Sequence, residues 1–375
     1  MRPSCYILIF LLASLSAAAA SSFPSAFVID PRRRHKLSTS HQVHPPSINN
    51  LRNIRGGGGG NSNLMMAVSP TVAAAATAFT QTISMGTPLQ AMMALYAVSA
   101  ATVIPLTWWR TGYSFSVGYG LSVAMMSLAL LTTFTSSVNN SNIASLSKVI
   151  FSSPSHFTTV IALLYGLRLG AFIYIREQNV QEKKNQFAAL DKTSPIKRTP
   201  LALGVSLLYA FMVSPVMFAL RAATTTTTSI ISPKNSMLAM MQMVFAYMAA
   251  FGMILESVAD QHKYIVKLNN RSNKMEDAVF VGPTSWSYTL CRHPNYLGEI
   301  LHWIGLFGTG CVTFSFNRTS ITPWICGILG LWGILSIMFG ATSRLDKKQT
   351  EKYIGQINYE EWKKRVKWSI VPYIK

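Results

Sequence analysis

Apolar residues in this chain gather into separated runs, near 88–107, 113–134, 157–175, 200–220, 237–256, 297–316 and 323–341. Each run matches the roughly 20 residues that an α-helix needs to cross a hydrocarbon core about 30 Å thick. A soluble core made of such helices would need amphipathic helices to cover it. Outside the C-terminal tail the sequence offers none. The pattern therefore predicts an all-α fold: a polytopic membrane helix bundle of about seven transmembrane helices. Residues 64–79 form a weaker, Ala-rich candidate for one further span.

Composition agrees with that pattern. Half of the 375 residues are hydrophobic and 12% are charged, against about a quarter charged in a typical soluble domain. The net charge of +20 is the balance of a nucleic-acid binder, but its distribution argues otherwise. With loops assigned alternately to two sides, the side holding Arg110, the 176–199 loop, the 257–296 loop and the tail collects 21 Lys and Arg. The opposite side has four: Lys148, Arg221, Lys234 and Arg318. Such asymmetry between loops orients a membrane protein, placing the tail on the cytoplasm-equivalent side. The charge is topological first, it suits an anionic cofactor second, and nucleic acid is not an expected partner.

The chain opens with a basic start at Arg2, an apolar run from Tyr6 to Leu15 and small residues from Ala17 to Ala20. That order reads residues 1–20 as a signal peptide. Residues 21–63 carry Arg32, Arg33, Arg34, Lys36, Arg52 and Arg55 among Ser, His and Pro, then a run of five glycines. From Pro31 to Arg176 there is no acidic residue. An acid-poor, Arg- and Ser-rich stretch behind a signal peptide resembles the bipartite presequences that direct proteins to secondary plastids. An ordinary lumenal N-terminus is the alternative, so plastid and endoplasmic reticulum membranes both stand as destinations. The remaining organisation is N-terminal transmembrane helices over 64–236 and a C-terminal membrane domain over 237–375 that carries the candidate chemistry.

Ionisable groups inside or bordering a span are costly to hold there, so they mark function by default. Arg168 stands about two turns inside its span; it either snorkels to the basic side or faces a polar interior. Glu256, Asp260 and Lys263 sit at i, i+4 and i+7, which places them on one helical face. Two carboxylates there can accept hydrogen bonds from ribose or amide groups, and Lys263 can meet a phosphate as a point charge. The bland alternative is a solvated helix end with an internal ion pair.

The densest cluster runs from Tyr288 to Trp303. Pro294 suits the first turn of a helix, which puts Arg292 and His293 at the helix entrance, where phosphate groups are attracted. Asn295, Glu299 and His302 then form a polar stripe running into an apolar span. A basic loop meeting a helix explains Arg292 and His293 but not Glu299 or His302. The tail, with Tyr353, Trp362, Trp368 and its basic residues, either lies on an anionic membrane surface or folds over a cofactor. No metal site is expected, because three of the seven histidines fall before residue 45 and the others lack paired Cys/His spacing. Of the four cysteines, Cys5 lies in the targeting segment, Cys311 and Cys326 in spans, and Cys291 beside the dense cluster in an expected packing role.

Arg292-His293-Pro294-Asn295-Tyr296-Leu297-Gly298-Glu299 resembles the signature of the steroid 5-alpha-reductase C-terminal superfamily, and more closely its branch called domain of unknown function 1295. Tyr165 to Gly170, the run from Glu256 to Lys263 and the tail ending Ile370-Val371-Pro372 also resemble that branch. The octamer is specific to a superfamily and not to one reaction. The resemblance implies an integral membrane oxidoreductase that uses NADPH to reduce a carbon–carbon double bond of a hydrophobic lipid. By it, Asn295 and Glu299 would contact the nicotinamide end, Arg292 the phosphates or ribose, and Glu256, Asp260 and Tyr353 the rest of the cofactor; His293 and Lys263 are cofactor-binding candidates by their place beside these residues. The steroid enzymes' N-terminal acid and tyrosine, which engage the substrate carbonyl, have no visible counterpart, so the lipid need not be a steroid. A hydride-transfer site also needs a proton donor, for which Tyr296 and then Tyr353 are the candidates. Isoprenylcysteine and phospholipid methyltransferases carry a similar Arg-His-Pro-x-Tyr motif and bind S-adenosylmethionine, which is the rival enzyme reading. A transporter fits the spans but leaves the clustered motif unexplained. No protein partner is implied.

Overall fold

The computed structural model of the protein describes residues 70–135, 150, 153–180, 185, 188, 191, 193–225, 233–272, 279–317 and 320–370. The segments read above as a signal peptide (1–20) and a transit-like stretch (21–63) lie outside the described residues, as do Val371 and Pro372, most of the 135–156 loop and residues 226–232. Among the described residues the chain is all-helical. Its α-helices are α1 (Pro70–Met85), α2 (Pro88–Trp109), α3 (Val117–Thr135), α4 (Pro154–Asn179), α5 (Thr199–Thr225), α6 (Pro233–Ser272), α7 (Pro294–Asn317), α8 (Ile321–Tyr353) and α9 (Ile357–Arg365). The seven from α2 to α8 are long and apolar enough to cross a membrane.

Proline opens five of these helices, at Pro70, Pro88, Pro154, Pro233 and Pro294, where its missing N–H is one that the helix leaves unpaired anyway. At α2 the start is reinforced by a capping box: Thr87 Oγ1 accepts from the Gln90 N–H, and Gln90 Oε1 accepts from the Thr87 N–H. The Ala-rich candidate at 64–79 is instead α1, shifted toward the C-terminus and 16 residues long, too short to count as a span. Arg221, at the end of α5, donates to the carbonyls of Ile83 and Gly86 and so caps the end of α1.

Three helices outrun their apolar stretches. α4 continues to Asn179, α6 to Ser272 and α8 to Tyr353. Once a helix is nucleated each further residue adds a hydrogen bond at small cost, so polar residues extend it past the point where hydropathy ends. Glu256, Asp260 and Lys263 therefore lie within one unbroken helix, not at its end.

Several crossings bring backbones into contact, and two of them join helices of the candidate site. A Cβ on Gly120 of α3 would fall 2.5 Å from the Gly170 N of α4, and one on Gly298 of α7 would fall 2.5 Å from the Glu256 N of α6. Small residues at membrane helix interfaces allow this approach. α3–α4 and α6–α7 are thus tightly joined pairs, and the second joint lies at the level of Glu256. Beyond the bundle, α9 folds back so that Phe280, Tyr353, Tyr359, Trp362 and Val366 form a second apolar cluster.

Candidate functional site

α4, α6 and α7 meet on a cluster of buried charge. Arg168 of α4 donates through Nε to Ser257 Oγ at 2.6 Å, and through Nη1 to Glu256 Oε1 at 3.3 Å and Asp260 Oδ2 at 3.5 Å. Of the two readings left open for Arg168, the polar interior holds. Asp260 Oδ1 accepts from Asn295 Nδ2 at 3.2 Å. Because a carboxylate only accepts, that bond orients the amide and turns Asn295 Oδ1 the other way. Glu256, Asp260 and Glu299 retain 2%, 8% and 7% exposure, and the cation paired with the first two is Arg168. Arg176 and Lys263 lie within electrostatic reach of Asp260.

Three polar atoms in this cluster are buried without a hydrogen-bond partner among the described residues: Arg168 Nη2, a donor, and two acceptors, Asn295 Oδ1 and Glu256 Oε2. Arg168 and Asn295 both bond Asp260. Leaving such a buried group unpaired costs about 1–3 kcal/mol.

A layer deeper, Glu299 Oε1 accepts from the Tyr119 hydroxyl at 2.8 Å. Trp303 Nε1 donates to the same hydroxyl at 2.7 Å, and the Tyr165 hydroxyl stands 3.2 Å from it. His302 donates from Nδ1 to the Ala249 carbonyl at 3.1 Å, and its ring stacks on Tyr165 with centroids 3.8 Å apart. The expected stripe of Asn295, Glu299 and His302 is therefore real, and it faces α3, α4 and α6.

The helix entrance is occupied by the chain itself. Asp346 of α8 accepts from Arg292 Nη2 at 2.8 Å, Arg292 Nε at 3.4 Å, His293 Nε2 at 2.7 Å and Ser369 Oγ at 2.6 Å. Arg292 Nη1 donates to the Val366 and Lys367 carbonyls at 3.1 and 2.7 Å. The backbone N–H groups of Arg292 and His293 donate to the Trp368 and Ser369 carbonyls, both at 2.9 Å. The groups expected to cradle a phosphate are thus engaged inside the protein, and a phosphate reaching Arg292 has to displace Asp346. Burial holds the His293 imidazole below its ordinary pKa of 6.5 despite the neighbouring carboxylate, so the ring is neutral at pH 7 with Nε2–H donating. Cys291, beside it, is fully buried, and burial pushes its thiol up to about 11.

Tyr296 lies against His293, with ring centroids 5.8 Å apart, one helical turn from Glu299. Tyr353 stands apart from these residues, packed edge-on against Phe280 at 5.3 Å in the α9 cluster. The fold thus brings together Glu256, Asp260, Asn295 and Glu299, with Lys263 and Tyr296 beside them. It assigns Arg292 and His293 to the entrance and leaves Tyr353 outside. Sequence reasoning did not single out Tyr119 and gave Asp346 no role of its own. Tyr119 stands between Gly118 and Gly120 in an apolar run, and a neutral phenol there escapes the rule that flagged Arg168. Asp346 is an acid among basic tail residues, and nothing in its spacing names its partners.

A bundle of seven membrane-crossing helices with a buried charge cluster under the entrance of its sixth span defines a polytopic membrane protein with a built polar site. Residues 120–366 match the family described as "Protein of unknown function (DUF1295)", and the chain belongs to that family. No curated protein and no solved structure matches it.

Proposed function

We propose that this protein is a membrane oxidoreductase that binds NADPH in the α4–α6–α7 cluster and reduces a carbon–carbon double bond of a hydrophobic lipid. The observation that carries the reading is the unpaired donor and acceptor beside Asp260, Arg168 Nη2 and Asn295 Oδ1. A nicotinamide carboxamide supplies the complement: its carbonyl accepts from the guanidinium, and its NH₂ donates to the Asn295 oxygen. Glu256 and Asp260 accept from ribose hydroxyls, and Lys263 and Arg176, on the rim near Asp260, meet phosphate charge. When bound, NADPH would supply hydride to one carbon of the double bond. The other carbon takes a proton; the Tyr119 hydroxyl is bonded to Glu299, the Tyr165 hydroxyl stands 3.2 Å from that of Tyr119, and Tyr296 lies one helical turn from Glu299. Tyr119 joins Tyr296 as a proposed donor, ahead of Tyr353. The likeness of Arg292 to Glu299 to the steroid 5-alpha-reductase signature supports the same chemistry without naming the lipid.

One observation favours the methyltransferase reading. Three buried carboxylates around one engaged arginine leave a surplus of negative charge that suits the ammonium and sulfonium of S-adenosylmethionine, whose amino-acid carboxylate could take the arginine donor. Titration of the purified protein separates the two. A ligand that binds only the folded state raises the melting temperature by mass action. NADPH is expected to do so and S-adenosylmethionine not. The reverse result moves the protein to the methyltransferases.

A further inference from the structure

We infer that Asp346 is a latch, and that residues 366–370 are a strap it holds closed across the mouth of the site. This rests in part on the cofactor reading above, because the strap is taken to close what that reading says must open. The strap's own geometry is independent of any ligand. One carboxylate, on the extension of α8, gathers Arg292, His293 and Ser369 within 2.6–3.4 Å. Those three residues come from the loop before α7 and from the tail, two segments more than 70 residues apart in sequence.

The rest of the fastening depends on where Asp346 puts Arg292. With Nε and Nη2 turned to the carboxylate, Nη1 points at the Val366 and Lys367 carbonyls. The Arg292 and His293 N–H groups then complete two backbone bonds to the strap. Cys291 is fully buried, and the strap's own Ile370, 4% exposed, and Trp368 pack on the same main core as Cys291. The Arg292 guanidinium, His293 Nε2 and the Arg292 and His293 N–H groups are all committed to this closure. An Arg fork binds carboxylate and phosphate with the same bidentate geometry, so the latch is also the contact that an arriving phosphate would contest.

Two measurements test this, one of them without a ligand. Cys291 is a native reporter: a water-soluble maleimide reaches it only when the strap lifts, and peptide-resolved mass spectrometry separates it from the other cysteines. Asp346→Asn should raise the Cys291 labelling rate by about tenfold or more, equivalent to at least 1.4 kcal/mol of lost closure. It should also speed hydrogen exchange at the Arg292 and His293 amides, while amides in the middle of α3 and α5 keep their protection. Ser369→Ala, which removes one of the four contacts and leaves the ion pair, should give a smaller rise in both. Unchanged labelling and exchange in Asp346→Asn would overturn the latch. A global loss of protection would show that Asp346 serves folding as a whole and would also overturn it.

The second arm is NADPH association. Asp346→Asn should bind faster than the native protein, because the step that opens the strap is shortened. Faster labelling with unchanged association would mean that the strap closes over something other than the path of the cofactor. NADPH binding to neither form would sink the cofactor reading, while labelling and exchange would still decide the latch.

Discussion

The same three helices, α4, α6 and α7, hold polar groups together in both halves of the bundle, and the two halves solve the problem differently. Toward the start of α6 and the end of α7 the polar groups are neutral. Gln242 donates to Thr313 at 2.6 Å, Thr158 and Thr309 hydroxyls stand 3.4 Å apart, and the threonines also bond carbonyls of their own helices. Toward the basic side the polar groups include three carboxylates and an arginine, with a donor and two acceptors left over. Neutral pairs in a membrane interior are modest glue, about 0.6 kcal/mol each. Buried charges are poor glue, because desolvating them costs as much as their attraction returns. Under the proposed function, retaining them is explained by use.

Removing the cation should have the largest effect. Arg168→Met leaves Glu256 and Asp260 buried without their partner, and breaking a buried pair costs about 3 kcal/mol at the lower end of its range. The lower end applies because the Arg168 side chain keeps 23% exposure. Thermal unfolding in detergent measures it, and an unchanged melting temperature would mean that the carboxylates carry no charge to compensate.

Next in size are Asn295→Ala and Glu299→Gln. If the pair serves a cofactor, each should weaken NADPH binding by about 5- to 150-fold, the equivalent of roughly 1–3 kcal/mol for a lost hydrogen bond with its partner unpaired. The apo melting temperature should hold. Variants that unfold more easily, with the folded remainder binding NADPH normally, would make the stripe structural.

The smallest change belongs to the neutral half. Gln242→Leu should lower stability by about 0.6 kcal/mol and leave cofactor binding as it was. Should it impair binding as much as Asn295→Ala, the contrast between the halves disappears.

Much of this was legible in the sequence, and for identifiable reasons. Seven spans follow from hydropathy and length, and all seven are found. Glu256 with Asp260, and Asn295 with Glu299, are one turn apart on their helices, so periodicity alone places each pair on one face. Their meeting is a different matter. Asp260 and Asn295 are 35 residues apart and Tyr119 and Glu299 are 180 apart; no periodic rule pairs residues across separate helices. The helix-entrance rule did find Arg292 and His293 but gave no sign of Asp346, the carboxylate they hold in the structure. A phosphate and an aspartate present the same oxygens to a guanidinium, and the competing aspartate lay 54 residues on.

The glycine contacts have a mechanical consequence. At Gly120 and at Gly298 backbone touches backbone, so α3 with α4, and α6 with α7, are stiff units that cannot slide internally without steric conflict. The bonds that join one unit to the other are side-chain bonds: Arg168 to Ser257, Glu256 and Asp260, Tyr119 to Glu299, Trp303 to Tyr119, Thr158 with Thr309 and Asn179 to Tyr264. The seam between the two units therefore runs through the charge cluster, and any shear or splaying of one unit against the other changes the spacing of Arg168 from its carboxylates.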